Sequence, residues 1–243
     1  MIEDLLIVAA GKGTRLKAKG NLKPLVELEG KSLIRRAVES AAAAGIKRAT
    51  VVTGYHAEVL EDHLKIVSTA TGIPVETVYN PRFEEANGLS VLAAKAILDR
   101  PFCLAMCDHL VEPGLYHCLL EQAHGGDRVT LAVDFRMDNP YVDLDDVTRV
   151  QMQGNRIKAI AKDLEAFNAF DTGVFAAGPI LFEAIETSIR QTGDCSISGG
   201  MKILAANDQA FGLDIADNFW IDVDSPEMHQ LAAQWLRTAP SLI

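Results

Sequence analysis

The chain has 243 residues, of which 49% are hydrophobic, and its formal net charge is −10. This length and composition suit a single α/β domain over residues 1–243, whereas the acidic balance argues against a basic nucleic-acid-binding face. The N-terminus lacks the basic region of a signal peptide and the apolar runs are too short to span a bilayer, so we expect a cytoplasmic protein that does not enter membranes.

Strands and helices alternate along the first half of the chain. The continuous apolar run at residues 5–10 is typical of a parallel strand that is covered on both faces. Ser32 is placed to cap the first helix, and Gly45 to end it. The predicted strands are 5–10, 49–54, 75–79 and 102–107, and the predicted helices are 32–44, 57–65 and 88–98. This order predicts a doubly wound sheet with right-handed crossovers.

Short strands dominate the second half. Gly154-Asn155 is typical of a hairpin turn between two of them. The predicted strands are 129–135, 148–152, 157–160 and 172–176, and the predicted helices are 180–189 and 226–236. We expect these strands to make the sheet mixed and to form a small β subdomain.

A glycine-rich segment follows the first predicted strand. It consists of Ala9, Ala10, Gly11, Lys12, Gly13, Thr14 and Arg15, and Lys23 follows within ten residues. Glycines at such a turn let backbone N–H groups approach a polyphosphate without a Cβ clash. Arg15 is able to bind phosphate oxygens with its planar guanidinium, and Lys12 and Lys23 add positive charge. The segment therefore predicts a phosphate-binding loop.

Two well-known phosphate loops do not match this segment. No stretch has the G-x-x-x-x-G-K-[ST] pattern of a P-loop. Leu16 stands where the dinucleotide-binding fingerprint requires its third glycine. A nicotinamide-dependent hydride-transfer enzyme is therefore disfavoured.

Aspartates at the ends of extended segments are candidate metal ligands. Asp108 follows the buried run 102–107, at the carboxyl end of a strand, where open α/β sheets bind ligands. Asp222 and Asp224 share one face if their segment is extended. Carboxylates from two separate strands are suited to Mg²⁺, which keeps its other positions for water and phosphate.

The glycine-rich segment with its downstream Lys23-Pro-Leu resembles the signature of the sugar-phosphate nucleotidyltransferase superfamily. The similarity runs along almost the whole chain, and its later parts are most similar to the CTP:inositol-1-phosphate cytidylyltransferase branch. The segments that carry it are Asn87-Gly-Leu-Ser-Val-Leu, Met106-Cys-Asp-His-Leu, Tyr141-Val-Asp-Leu, Ala161-Lys-Asp-Leu, Phe170-Asp-Thr-Gly-Val-Phe and Trp220-Ile-Asp-Val-Asp.

This resemblance implies a fold, a reaction and a metal. The fold is a Rossmann-like mixed sheet of the GT-A-like type, with residues 1–125 as the nucleotide-binding half and 126–243 as the acceptor-binding half. The reaction is Mg²⁺-dependent transfer of a nucleoside monophosphate, with CTP favoured, to a small phosphorylated acceptor, with inositol-1-phosphate favoured. A homodimer is a possible assembly.

Roles at the reaction centre also follow from the resemblance. Lys23, Arg15 and Asp108 are the expected catalytic residues, and the segment 9–15 is expected to bind the nucleotide phosphates. Asp108 and Asp222 match the family's metal ligands. Asp222 is preferred because it follows Trp-Ile, but Asp224 remains an alternative.

The remaining candidates are expected to contact the two substrates. Asn87, Gly88 and Ser90 match the segment that lies against the nucleobase, with Gly88 permitting close approach of the ring. Ser90 equally suits a helix cap. The candidates for acceptor binding are Lys162, Asp171, Thr172, Gly173, Asp143 and His109.

Two other interpretations stay open at this point. One is an enzyme with another acceptor, such as a hexose-1-phosphate uridylyl- or guanylyltransferase or a phosphocholine cytidylyltransferase. The other is a non-catalytic nucleotide sensor. Lys23, Asp108 and Asp222 together argue against a sensor, because a protein that only binds nucleotide does not need a complete set of metal and phosphate ligands.

Overall fold

A computed structural model describes residues 2–13, 22–123 and 126–238. Within these residues the strands are β1 (Asp4–Val8), β2 (Glu27–Leu28), β3 (Lys31–Ser32), β4 (Arg48–Thr53), β5 (Val75–Tyr79), β6 (Phe102–Met106), β7 (His109–Val111), β8 (Val129–Asp134), β9 (Arg149–Gln153), β10 (Arg156–Ala161), β11 (Ala169–Ala177), β12 (Ala210–Asp214) and β13 (Trp220–Asp222). The helices are α1 (Leu33–Ala43), α2 (Ala57–Thr71), α3 (Gly88–Ala93), α4 (Pro113–Gln122), α5 (Pro179–Thr192), α6 (Ile197–Ala206) and α7 (Pro226–Thr238). A 3₁₀ turn spans Lys23–Leu25.

A mixed sheet joins strands from both halves of the chain. Its order is β5-β4-β1-β6-β11-β8-β12-β10-β9, and β9 also pairs with β11. The strands β5, β4, β1 and β6 are parallel, whereas β11 runs antiparallel to both β6 and β8. The predicted doubly wound, mixed α/β sheet is therefore confirmed.

The core lies on both faces of this sheet. Along β1, Leu5 and Ile7 contact one apolar cluster while Leu6 and Val8 contact another. Side chains alternate between the two faces of a strand, and a strand covered on both sides is therefore apolar throughout. This arrangement explains the continuous apolar run in the sequence.

The predicted boundaries of α1 are confirmed. The Ser32 hydroxyl accepts a hydrogen bond from Arg35 N at 3.3 Å and caps the helix. Gly45 follows Ala44, the C-cap residue of α1. The φ of Gly45 is +106°, in the left-handed region that favours glycine. The predicted hairpin turn is also present, with Gly154 at φ +59° between β9 and β10.

Three differences from the predicted helices need correction. The helix predicted over 88–98 ends at Ala93, because following N–H groups bond carbonyls three residues back, as Ala94 does with Val91. Helix α4 was missed, and so was α6, in which Gly199 and Gly200 lower the helix propensity. A Cβ on Gly200 would lie 2.7 Å from Ile185 Cγ1, so these glycines allow α6 to pack closely on α5.

Two small sheets lie beside the large one. Strand β7 pairs antiparallel with β13, and β2 pairs with β3. Apolar residues of both small sheets and of α7 form a third cluster. In the parts of the chain described, no helix is both long enough and apolar enough to cross a bilayer.

Candidate active site

The glycine-rich segment extends from the end of β1. Ala9 and Ala10 are buried, and their backbone groups bond those of Val52 and Tyr55 at 3.1 and 2.9 Å. Gly11 and Lys12 are exposed beyond them, and the Lys12 ammonium pairs with Glu84. This places the exposed part of the segment at the carboxyl end of β1, as predicted for a ligand-binding loop.

Gly13 is packed against the base of the Lys23 side chain. Its φ is +54°, and a Cβ built there would lie 2.4 Å from Lys23 Cβ. The absence of a side chain at Gly13 therefore lets the loop and Lys23 approach each other. Thr14 and Arg15, which were also predicted to bind phosphate, lie outside the described residues.

Lys23 joins two carboxylates that lie far apart in the sequence, Asp108 and Asp222. Its Nζ lies 2.5 Å from Asp108 Oδ2 and 3.7 Å from Asp222 Oδ1. Pairing of β7 with β13 sets Asp222 opposite His109, next to Asp108. Three of the predicted residues at the reaction centre are thus brought together.

The proximity of these charges changes their pKa values. Burial lowers the pKa of Lys23, but the charges of Asp108 and Asp222 outweigh it and raise that pKa above its usual range. Burial raises the pKa of Asp108, but the charges of Lys23 and His109 bring it below its usual range. Burial and the charge of Asp108 raise the pKa of Asp222. The single positive charge of Lys23 therefore only partly balances the negative charge of the two carboxylates.

These carboxylates fit a hard divalent cation. Among the described residues, neither Asp108 Oδ1 nor Asp222 Oδ1 has a hydrogen-bond partner, although both atoms are buried. Ligand atoms of Asp108, His109 and Asp222 lie within 4.8 Å of one another, as do those of Asp146, Asp222 and Asp224. Carboxylate oxygens are the ligands that Mg²⁺ prefers, and a cation would satisfy both buried oxygens.

Asp222 and Asp224 differ in their positions. Strand β13 ends at Asp222, whereas Asp224 lies beyond it and is 2% exposed. Asp222 belongs to both groups of ligand atoms, but Asp224 belongs only to the one with Asp146. This difference supports Asp222 as the aspartate that shares a cation with Asp108.

His109 lies beside the carboxylates, and its ring is held in one orientation. Its Nδ1 donates to the Thr172 carbonyl at 2.7 Å, and its Nε2 lies 3.6 Å from Asp222 Oδ2. Burial lowers the pKa of His109, but Asp222 and Asp108 outweigh it and raise that pKa. A Cβ on Gly173 would lie 2.4 Å from His109 Nδ1, so Gly173 provides space for the ring.

A cavity of about 260 Å³ opens onto this charged cluster. It is lined mainly by side chains from the segments around β7, β13 and β11, and from the loop between β8 and β9. The residues that line it are Asn87, Met106, Asp108, His109, Tyr141, Val142, Asp143, Asp146, Val147, Thr148, Lys162, Asp171, Gly173, Phe175, Ile197, Ser198, Trp220, Asp222 and Asp224.

Most of the predicted acceptor-binding residues line this cavity. The Lys162 ammonium lies 2.5 Å from Asp146 Oδ1, and its side chain is 61% exposed. Asp143 Oδ1 accepts from Asp145 N, and Asp171 Oδ1 accepts from Gly173 N at 2.7 Å. Burial raises the pKa of Asp171 to about 6.

The prediction for the Thr172 side chain is wrong. This residue is fully buried, and its hydroxyl donates to the Ala132 carbonyl at 2.8 Å. The hydroxyl is thus committed to the contact between β11 and β8 and does not face the cavity. Only the carbonyl of Thr172 contributes to the site, by holding His109.

The segment 87–90 also differs from its prediction. The capping role of Ser90 is wrong, because this residue lies inside α3, is buried, and accepts a hydrogen bond from Asn80 Nδ2 at 3.0 Å. A Cβ on Gly88 would lie 2.4 Å from the Cys195 carbonyl oxygen, so its close approach is to the chain's own backbone. Asn87 lines the cavity and accepts from Ile197 N at 3.0 Å.

Sequence reasoning missed two aspartates near the cavity. Asp146 pairs with Lys162 and shares a ligand group with Asp222, but in the sequence it lies in an acidic loop with no recognisable pattern. Asp134 accepts a hydrogen bond from Trp220 Nε1, 86 positions away. A pairing over this separation has no local sequence signal.

Known proteins are similar to nearly the whole of this chain. The bifunctional IPC transferase and DIPP synthase of Rubrobacter xylanophilus is 33% identical over 238 residues, which are 94% of this chain and 50% of that protein. The protein of the same name from Aquifex aeolicus is 29% identical over 243 residues, covering 97% of this chain and 52% of that protein. The chain thus spans about half the length of the curated relatives that it matches.

This chain also matches a solved structure and a domain family. The inositol-1-phosphate CTP transferase from T. maritima has a TM-score of 0.82 to this chain, over 96% of each chain and with 22% sequence identity, which establishes the shared fold. The family of MobA-like NTP transferase domains matches residues 5–167. The resemblance drawn from the sequence is confirmed, and the chain belongs to the MobA-like NTP transferase domain family.

Proposed function

We propose that the chain transfers the CMP group of CTP to the phosphate of a small polyol phosphate, with inositol-1-phosphate as the favoured acceptor. The observation that carries this proposal is one cavity whose lining includes Lys162 and the carboxylates of Asp108 and Asp222, and these two carboxylates pair with Lys23. The names of the relatives, IPC transferase and inositol-1-phosphate CTP transferase, support this choice of substrates.

The nucleotide is assigned to the half formed by residues 1–125. Backbone N–H groups at 11–13 would bind the β- and γ-phosphates, together with Thr14 and Arg15. Lys23 would hold an α-phosphate oxygen and stabilise the charge that develops there. Asn87, at the cavity wall, is the candidate to contact the nucleobase.

The acceptor is assigned to the half formed by residues 126–243. Lys162 would exchange its pairing with Asp146 for the acceptor's phosphate, and Asp143 and Asp171 would accept hydrogen bonds from the polyol hydroxyls. The carboxylate-rich lining suits an acceptor with many hydroxyl groups, since each hydroxyl is a donor.

The chemistry requires orientation more than proton transfer. An anionic oxygen of the acceptor phosphate forms a bond to the α-phosphorus, and the bond from that phosphorus to the β-phosphate bridging oxygen breaks, which releases pyrophosphate. The attacking oxygen is already ionised, so no general base is needed and catalysis depends on positioning and charge neutralisation. Asp108 and Asp222 would hold Mg²⁺, which supplies positive charge to the phosphate oxygens when bound.

Pyrophosphate release tests this proposal. Purified protein with Mg²⁺ is offered CTP, UTP, GTP or ATP, each with inositol-1-phosphate, glucose-1-phosphate or phosphocholine, and reactions without acceptor give the background. We expect release above background with CTP and inositol-1-phosphate. Release with another pair would support nucleotidyl transfer but refute CTP and inositol-1-phosphate as the substrates. Nucleotide binding without release from any pair would favour the sensor interpretation.

A further inference from the structure

A fully buried carboxylate lies just outside the cavity, at the end of β8. Asp134 is 0% exposed. Its Oδ1 accepts from the backbone N and the Nε of Arg136 at 2.9 and 2.8 Å. Its Oδ2 accepts from a terminal nitrogen of Arg136, from Asn139 Nδ2 and from Trp220 Nε1, at 3.0, 2.7 and 2.8 Å. Asp134 is not itself in the cavity wall, so it has no direct role in the proposed reaction.

These donors keep Asp134 ionised. Burial alone would raise its pKa, but the hydrogen bonds from Arg136 and Trp220 outweigh burial and lower that pKa. Hydrogen bonds to an ionised acceptor are roughly twice as strong as neutral ones. Asp134 therefore anchors each of its partners firmly.

One set of partners belongs to the acceptor side of the cavity. Arg136 and Asn139 begin the loop 135–148, which we call the acceptor loop, and this loop supplies Tyr141, Val142, Asp143, Asp146, Val147 and Thr148 to the cavity wall. Asn139 also receives hydrogen bonds from Tyr141 N, through its side chain, and from Val142 N, through its carbonyl. The anchor at Asp134 thus sets where the acceptor loop starts.

The other partner belongs to the metal-binding side. Trp220 lies in β13, two residues before Asp222. Its ring stacks on His109, with centroids 6.1 Å apart, and His109 Nε2 faces Asp222. Asp134 therefore holds the indole of Trp220 in place, and that indole in turn packs against the imidazole of His109 next to the reaction centre.

We propose that Asp134 is a positioning residue that couples the acceptor loop to the metal-binding strand β13. One carboxylate bonds both elements, so it sets the distance between the bound acceptor and the α-phosphate. This proposal rests on the proposed function for its kinetic consequences. Its structural part, the coupling of Asn139 to Trp220 through Asp134, is independent of substrate.

Two substitutions separate the arms of this network. Asn139→Ala removes one of the bonds between Asp134 and the acceptor loop and leaves those of Arg136. We expect it to raise the KM for the acceptor about 10-fold, the scale of one lost hydrogen bond to a charged group, while the KM for CTP changes less than about 2-fold. Trp220→Phe removes the indole N–H together with the pyrrole ring and keeps a smaller aromatic ring next to His109. We expect it to lower kcat with little change in the acceptor KM.

Asn168→Ala is the matched control. The Asn168 side chain also holds a loop, through bonds to the backbone of Met152 at 2.7 and 3.2 Å, but it does not line the cavity. We expect this variant to lower the melting temperature as Asn139→Ala does, without a selective change in the acceptor KM. Equal changes of KM for both substrates in Asn139→Ala, or the same pattern in Asn168→Ala, would refute the proposal.

Fluorescence tests the coupling without any substrate. The chain has two tryptophans, so Trp235→Phe leaves Trp220 as the only one. In that background we expect Asn139→Ala to shift the Trp220 emission maximum, although Asn139 does not bond Trp220 directly, and Asn168→Ala to leave it unchanged. An unchanged emission in Asn139→Ala would refute the coupling. A wild-type protein that is inactive with every substrate pair would instead count against the proposed function.

Discussion

The two halves of the sheet place their functional groups in different ways. In the first half, parallel strands alternate with helices, and Gly13 contacts Lys23 across a separation of only ten positions. In the second half, β8 and β11 run antiparallel, and hydrogen bonds such as that from Trp220 to Asp134 span 86 positions. The contact that shapes the glycine-rich loop on the proposed nucleotide side is therefore local, whereas the anchor on the proposed acceptor side joins distant segments.

The proposed reaction centre lies where these two regions meet. Lys23 comes from the first half and Asp222 from the second, and His109 is held by the Thr172 carbonyl across 63 positions. The proposed cytidylyl transfer would require the two regions to hold their functional groups at fixed positions relative to each other. Substitutions at the meeting point are expected to have larger effects than those within either half.

The largest effect is expected at Lys23. Lys23→Ala would lower the turnover number at least ~100-fold, because it removes a preorganised charge next to the α-phosphate. Asp108→Asn would have a loss of the same scale, and pyrophosphate release measures both. Lys31→Ala is the control. Lys31 Nζ lies 2.9 Å from a carboxylate oxygen of Glu39, and neither residue lines the cavity. Turnover close to wild type in the Lys23 or Asp108 variant would remove that residue from the mechanism.

A smaller effect, confined to one substrate, is expected at Lys162. Lys162→Ala would raise the KM for the acceptor about 10- to 100-fold, the range for losing a hydrogen bond to a charged group, and leave the KM for CTP unchanged. Lys158→Ala is matched to it, because Lys158 lies in β10, the strand that directly precedes Lys162, but pairs with Asp208. If both variants raise the KM for the acceptor equally, the effect reflects general surface charge and Lys162 has no specific role.

The local geometry of the nucleotide side predicts a difference between two glycines. Gly13→Ala would lower the free energy of unfolding by about 1–2 kcal/mol, because φ is +54° and the new Cβ would collide with Lys23 Cβ. It would also reduce turnover by displacing Lys23. Gly11→Ala, whose new Cβ would have no atom of the described residues within 4 Å, would leave the free energy of unfolding nearly unchanged. Chemical denaturation and pyrophosphate release compare the two variants, and equal stabilities would contradict the steric argument.

The smallest effect is expected from the burial of Asp171. Its folded pKa of about 6 lies above the unfolded value near 3.9, so the folded state holds this proton more tightly. Stability then falls as pH rises from about 4 to 6, and the penalty is complete above 6. Asp171→Asn would raise the free energy of unfolding by about 1 kcal/mol at pH 8, after allowance for partial exposure.

Denaturation in the presence of a chelator at pH 8 and pH 4 checks this prediction. The gain should disappear at pH 4, where the native carboxyl group is protonated as well. A gain of the same size at both pH values would show that ionisation is not its cause. The same variant would weaken acceptor binding if Asp171 accepts a hydrogen bond from a polyol hydroxyl.

Sequence reasoning succeeded where a few neighbouring residues carry the signal. The strand β1, the cap at Ser32 and the turn at Gly154 were predicted from apolar runs and from residues with particular backbone preferences. It failed for α6, where two glycines lower helix propensity but permit close packing on α5. It also named Thr172 as an acceptor-binding candidate, although its side chain bonds the Ala132 carbonyl inside the sheet.

The sequence by itself determined the order β1-α1-β4-α2-β5-α3-β6 within the first half, the glycine-rich turn, and Lys23 and Asp108 as candidates. These features depend on periodicity and on backbone conformations that short segments prefer. Tertiary structure decided that Asp222 lies 3.7 Å from Lys23, that Asp146 pairs with Lys162, and that Asp134 bonds both sides of the cavity. Such distances depend on which strands become neighbours, and residue spacing along a chain does not specify that.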